Sequence, residues 1–347
     1  MVIVETRAVT GGVDTHAETH VASALDGIGG LLGTASFPVS AAGYGELLDW
    51  LASHGTVVKV GVEGTGSYGA GLARYLAAAG VMVVEVCCPN RQERRRTGKS
   101  DTLDAVAAAR ATLSGQAASA SRGRSGTVEA IRVLTLARRS ARSQRIATIN
   151  QARSLVFTGP GDIRGRFAAH STHRFIAELA VLRPRSGEPV GYSTRVALRE
   201  LARRVRYLDD QADRLDELII PLVTARAPGL LALYGVGIDT AGALLVAGGD
   251  HPERLRSEAA WAHLCGAAPI PSSSGKHSGR LVLDTAGDRH ANHALWRIVF
   301  TRMSAHPDTR AYVERRTLEG KSKQEIMRCL KRYVARETFP RLRSAVT

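Results

Sequence analysis

Gly98-Lys99-Ser100-Asp101-Thr102-Leu103-Asp104-Ala105 is the stretch on which the reading of this chain turns. It follows a basic run from Arg91 to Arg96 and opens an alanine-rich helical pattern from Ala105 to Leu113. Ser100 or Asp101 suits a helix N-cap, because a short polar side chain accepts from first-turn amides. Asp104 lies three residues beyond Asp101, which puts both carboxylates on one helical face, close enough to share a cation. Acids in a first turn also suit the helix dipole with no metal present, so this segment alone leaves both readings open. Two acids upstream weigh towards metal: Asp14 and Glu63 each stand where an apolar strand pattern stops.

Those strand patterns set the fold class. Val9 to Asp14, His20 to Leu25 and Leu31 to Phe37 read as strands, the last two joined by the turn residues Asp26-Gly27-Ile28-Gly29-Gly30. Ser40 then caps a helix with Leu47, Leu48 and Leu51 on its apolar side. Thr56 to Glu63 is a further strand, and Gly64-Thr65-Gly66-Ser67 turns it into a helix carrying Leu72, Tyr75 and Leu76. Val81 to Cys87 reads as a buried strand ended by Pro89. A three-strand meander followed by βαβ units predicts a mixed sheet with helices on its faces. In such sheets ligands bind beyond the strand ends, and four carboxylates at one edge would suit Mg²⁺ held by oxygen.

The chain has 347 residues, enough for two or three domains, and a formal net charge of +15. That excess implies a polyanionic partner, nucleic acid first among them. Of the 47 basic residues 41 are arginine, which suits bidentate phosphate contacts, although a GC-rich genome gives the same bias. Four cysteines without a C-x-x-C pair favour neither a zinc site nor a disulfide scaffold, and point to a reducing cytoplasm. No signal peptide or long apolar span is visible, so a membrane role is not expected.

Gly115 to Thr127 reads as a linker, and Thr127 to Phe157 as one long helix. That helix carries Arg132, Arg138, Arg139, Arg142, Arg145 and Arg153 and no acid after Glu129. A charge run is commonly a solvated face, but a helix of one sign argues for phosphate contact. Gly159 to Gly191 is weakly patterned and reads as a connection. Leu198, Leu201, Val205, Leu208, Ala212, Leu215, Ile219 and Leu222 then form a heptad seam, with Pro221 limiting its end. The two long helices suggest either an antiparallel coiled-coil arm or an ordinary helical hairpin. Gly235-Val236-Gly237 fits the turn of a helix-hairpin-helix, whose following amides can face a phosphate. Pro271-Ser272-Ser273-Ser274-Gly275-Lys276 places hydroxyls beside Lys276, His277 and Arg280, where a serine could attack phosphorus or the loop could be a plain turn. The tail reads as a small α-rich domain.

Gly12-Val13-Asp14-Thr15-His16, Val62 to Tyr68 and Lys99 to Ala105, with Gly235-Val236-Gly237, Gly266-Ala267-Ala268-Pro269 and Gly287-Asp288 downstream, together resemble the Piv-like DEDD transposases of the IS110 family of insertion sequences. The resemblance covers nearly the whole chain. It implies an RNase H-like (RuvC-like) catalytic domain over residues 1–114, with Asp14, Glu63, Asp101 and Asp104 as Mg²⁺ ligands. A helical coiled-coil arm over 127–226 and a C-terminal transposase domain over 227–347 follow. By spacing from Pro269 the family's catalytic serine falls on Ser274, while the run of three serines also admits Ser273. Arg132, Arg138, Arg139, Arg142, Arg145, Gly235, Gly237, Lys276 and Arg280 are the expected nucleic-acid contacts. The resemblance further implies double-stranded target and donor DNA, a structured bridge RNA as guide, and a dimer of dimers whose acids and serine come from different protomers, acting in the bacterial cytoplasm at the nucleoid. Three other functions compete: a RuvC-like nuclease using water, a sugar-kinase-like or actin-like ATPase, and a non-catalytic helix-hairpin-helix DNA binder. The ATPase gives no reason for the arginine-rich helix or the hairpin, and a binder needs no clustered carboxylates.

Overall fold

The computed structural model describes residues 7–86, 100–116, 119–120, 126–184, 187–249, 255–271, 281–283 and 287–346. Contacts divide the chain into two compact units, residues 130–231 and the remainder. No helix among the described residues is long and apolar enough to cross a membrane.

The first part of the larger unit is a mixed sheet. Strands β1 (Ala8–Thr15), β2 (Thr19–Leu25) and β3 (Leu31–Pro38) form an antiparallel meander. Strands β4 (Thr56–Glu63) and β5 (Met82–Val86) add on parallel to β1, and the two-residue β6 (Ser119–Ala120) closes the edge, giving the order β3-β2-β1-β4-β5-β6. Helices α1 (Ala41–Ser53) and α2 (Ala70–Ala78) supply Leu47, Leu51, Leu72 and Leu76 to a core with Val13, Val60 and Val62. Those four leucines are fully buried, each contributing on the order of 2 kcal/mol relative to exposure. Ser40 caps α1, accepting from the Gly43 amide at 3.0 Å.

Helix α3 (Asp101–Leu113) packs across β1, β2 and β4, and glycine makes its closeness possible. A Cβ on Gly12 of β1 would lie 2.1 Å from the Ala109 nitrogen, and one on Gly61 of β4 would lie 1.9 Å from Thr112 Oγ1. Neighbouring Gly11 faces the other way, towards Leu51 of α1, as strand alternation requires. The buried Ser23 on β2 donates to the Ala105 carbonyl at 2.8 Å, pinning the start of α3 to the sheet.

In the smaller unit two long helices, α4 (Gly126–Thr158) and α7 (Pro189–Arg226), run antiparallel, as the pairings of Arg138 with Asp216 and Arg145 with Asp209 require. The arm is a helical hairpin within one chain. Two findings correct the sequence reading. The stretch between the long helices is not a plain connection but holds α5 (Gly161–Phe167) and α6 (Thr172–Ala180), whose Ile163, Phe167, Phe175, Ile176 and Leu179 join the core of this unit. Pro221 does not end α7, which continues to Arg226. Pro221 sits one turn from the C-terminus, and buried Ile219 and Val223 hold the backbone helical around it.

A single turn, α8 (Pro228–Leu231), leads to the C-terminal helices α9 (Ile238–Gly248), α10 (Glu258–Leu264), α11 (Arg289–Ala305), α12 (Pro307–Leu318) and α13 (Lys323–Val346). Strands β7 (Pro269–Pro271) and β8 (Leu281–Leu283) pair antiparallel beside them. Trp261 is fully buried, and its indole N–H donates to Thr338 Oγ1 at 3.2 Å.

Candidate functional site

The register places the acids. Val13 pairs with Val62 across the parallel strands, so Asp14 and Glu63, next along each, come to the same sheet edge. Thr15 Oγ1 donates to the Glu63 carbonyl at 2.9 Å, and Gly64, at φ +63°, turns the chain away. Ser100 caps α3 by accepting from the Leu103 amide at 3.3 Å. That cap starts the helix so that Asp101 and Asp104 fall in its first turn. Asp104 is buried and Asp101 exposed.

Electrostatics report the convergence. Burial pushes the Asp14 carboxyl above its ordinary range; nearby His16 lowers it, while the like charges of Glu63 and Asp104 raise it. His16 Nε2 lies 3.1 Å from Asp14 Oδ2 and 3.5 Å from Asp101 Oδ1. One ligand atom each from Asp14, His16 and Asp101 falls within 4.8 Å of the others. A desolvated carboxylate crowded by two more is unfavourable unless a cation or a proton sits among them. The residues present therefore fit a divalent metal. His16 was not among the residues singled out from the sequence, although it ends the motif containing Asp14. Gly12, Gly61 and Ser23 were missed too, and all three set where α3 lies. A glycine inside a strand pattern signals close backbone approach, so Gly12 and Gly61 were findable.

The arginines of α4 are placed differently from the expectation. Arg138 is buried and paired with Asp216, which Arg142 also reaches at 2.7 Å, and Arg145 pairs with Asp209. Arg153 donates to the His170 carbonyl and to Thr172 Oγ1, with its guanidinium 4.7 Å from the Phe175 ring centre. The acids answering α4 sit on α7, so α4 read alone overstates the local charge. Arg139 is exposed and Arg132 half-buried.

At the hairpin motif the preceding helix is four residues long, Gly235 adopts φ +78°, and Gly237 caps α9 with its N–H donating to Thr240 Oγ1 at 3.0 Å. The two downstream motif segments meet. A Cβ on Gly287 would lie 2.2 Å from the Gly266 nitrogen. Asn292 donates to the Cys265 and Gly266 carbonyls and accepts from buried Lys331 at 2.6 Å. Burial lowers the Lys331 pKa and raises that of the Cys265 thiol. This turn leads into β7. The serine segment between β7 and β8, with Ser272, Ser273, Ser274, Lys276, His277 and Arg280, lies outside the described residues, as does Lys99.

A meander extended by two parallel strands, with acids at the ends of β1 and β4 and in the helix crossing them, fits an RNase H-like α/β domain, and its acidic cluster suggests divalent metal. Residues 11–158 match a family model for the DEDD transposase domain of IS110 elements, and residues 228–314 match a model described as "Transposase IS116/IS110/IS902 family". Both matched segments relate the chain to the IS110 family of transposases, whose members cut and rejoin DNA. It is 29% identical over 150 residues to an insertion element IS110 uncharacterized 43.6 kDa protein of Streptomyces coelicolor. That match covers 43% of this chain and 37% of the relative's length.

Proposed function

We propose that this chain is an insertion-sequence transposase that cuts and rejoins double-stranded DNA, with Mg²⁺ held by Asp14, Glu63, Asp101 and Asp104 and with Ser274 as nucleophile. The observation that carries the reading is the meeting of Asp14, Glu63 and the first turn of α3 at one sheet edge, where ligand atoms of Asp14 and Asp101 lie within 4.8 Å of one another. When bound, the ion neutralises charge developing on the phosphate and favours ionisation of an attacking hydroxyl.

The chain's own residues do the rest. Asp14 must be ionised to take part, and His16, within hydrogen-bond reach of it, orients the carboxylate. Gly12 and Gly61 let α3 approach until Asp104 joins the edge. Ser274 Oγ bonds to phosphorus as one strand oxygen leaves and takes a proton, while the serine proton is lost to solvent. In the reverse direction a strand hydroxyl attacks the phosphoserine, the phosphodiester re-forms and Ser274 Oγ regains a proton. Lys276 and Arg280 bring positive charge to the five-coordinate phosphate. The net charge of +15 suits DNA together with a structured guide RNA, and the acids and the serine meet across protomers of a dimer of dimers.

Denaturing electrophoresis of the protein reacted with labelled DNA carrying a recombination site tests this. Wild type gives a protease-sensitive adduct and Ser274→Ala gives none. An adduct that survives in Ser274→Ala moves the role to Ser273 or Ser272. Normal recombination by the triple-serine variant makes water or a DNA hydroxyl the nucleophile, and the RuvC-like nuclease reading takes over.

A further inference from the structure

A cavity of about 590 Å³ opens between α12 and α13, against the turn that leads into β7. Its volume falls within the range of pockets that enclose small ligands. Ala267 and Pro269 line one side, and Tyr312 and Tyr333 meet within it edge to face, ring centres 5.8 Å apart. Five cationic side chains surround them: Arg315, Arg316, Lys321, Arg328 and Arg332.

These cations are not equally available. Arg316 is paired with Glu319, and Arg332 with Glu258. Lys321 and Arg328 are exposed and form no ion pair among the described residues. The one acid in the lining, Glu325, commits an oxygen to the Ser322 amide and hydroxyl at 2.9 and 2.8 Å. Arg315 and Arg316 flank the Tyr312 ring at 5.3 and 6.0 Å, so that ring is partly covered, whereas Tyr333 is 54% exposed. An exposed aromatic face in a concave site where five cations face one lining acid, Glu325, whose charge Lys321 and Arg328 share, suits one ligand chemistry: a planar base with a phosphate attached.

We propose that this pocket binds a single unpaired nucleotide, its base stacked on Tyr333 and its phosphate held by Lys321 and Arg328. A base within a duplex has both faces occupied by its neighbours and cannot offer one to Tyr333, so the pocket selects single strands. The source is either a DNA strand opened at the recombination site or an unpaired RNA position. Pro269 ties the site to the chemistry, since it lines the pocket and Ser274 follows it by five residues. The inference rests on the transposase reading only in taking nucleic acid as the partner.

The test is fluorescence anisotropy of the full-length protein in EDTA, with labelled short single-stranded DNA, RNA of the same sequence, and the DNA duplex. Tyr333→Ala is expected to weaken single-strand binding by about tenfold, with Tyr333→Phe restoring it and the duplex changed by less than about twofold. Arg328→Ala should lower the salt slope for single strands by about one, and it carries the test if Tyr333→Ala loses thermal stability. A loss confined to DNA or to RNA identifies the strand. No loss with either, or an equal loss with duplex, overturns the pocket. Because nothing is cleaved in EDTA, the pocket and the covalent mechanism fail separately. Tyr333-dependent binding without any adduct would remove the mechanism and keep the pocket, and an adduct with Tyr333→Ala binding normally would do the reverse.

Discussion

The sheet edge and the long helical pair use charge in opposite ways. At the edge, Glu63 and Asp104 bear on Asp14, like charge on like, and a buried carboxyl is held above its ordinary pKa. Between α4 and α7, Arg138, Arg142 and Arg145 face Asp216 and Asp209, opposite charge on opposite. The first arrangement is costly by itself, because a desolvated carboxylate among like charges needs a cation or a proton beside it. The second is self-satisfying and leaves those groups little to offer an outside partner. The comparison teaches that a run of one sign in a sequence says little until the facing element is known. Crowded like charge in a buried place points instead to function.

The largest expected effect breaks the edge. Asp14→Ala or Asp104→Ala should reduce strand cleavage on the order of 1000-fold, with nucleic-acid binding kept. Loss of binding together with loss of the folded circular-dichroism signal would make these acids structural.

Next in size are changes that move α3 or unpair the helices. Gly12→Ala places a Cβ against the Ala109 backbone and should cost about 3 kcal/mol or more, because neither backbone can yield. Gly33→Ala, whose nearest neighbour would be the Trp50 ring edge at 3.4 Å, should change the urea midpoint little. Arg138→Ala removes the buried partner of Asp216 while Arg142 stays beside it, and should cost about 2 kcal/mol through lost packing and pairing. Replacing Arg138 and Asp216 together by apolar residues should recover most of it. Arg145→Ala breaks a more exposed pair and should cost less than about 1 kcal/mol. Equal costs at Arg138 and Arg145 would contradict the distinction between buried and exposed pairing.

A gentler test concerns pH. The folded state raises the Asp14 pKa above its unfolded value, so folding holds that proton more tightly. The destabilising contribution is absent below the unfolded pKa, grows as pH rises, and is complete above the folded pKa. In EDTA, Asp14→Asn should therefore melt a few degrees higher than wild type at neutral pH and at the same temperature near pH 3. A difference that persists unchanged at low pH would assign the effect to packing.

The strand ends were legible because hydrophobic runs stopping at an acid carry both the period and the chemistry. Ser100 as cap and the spacing of Asp101 and Asp104 were legible for the same local reason. His16 was not, since nothing local says that its ring turns back to Asp14 and across to Asp101. The acids paired with Arg138, Arg142 and Arg145 lie more than sixty residues away, beyond any local pattern. The helices α5 and α6 were missed because each is shorter than two windows of period and lies between prolines. Pro221 was given too much weight: near a helix end it removes one hydrogen bond, and tertiary burial at Ile219 and Val223 outweighs that loss.

The measurement that bears most directly on the account is calorimetric titration of the full-length protein with Mg²⁺, repeated with Mn²⁺, for wild type and for Asp14→Asn and Glu63→Gln. The account expects saturable binding by wild type, abolished or weakened at least tenfold in both variants, with their folds intact. Equal metal binding by wild type and both variants would place the ion elsewhere and leave the crowded carboxylates without the role assigned to them.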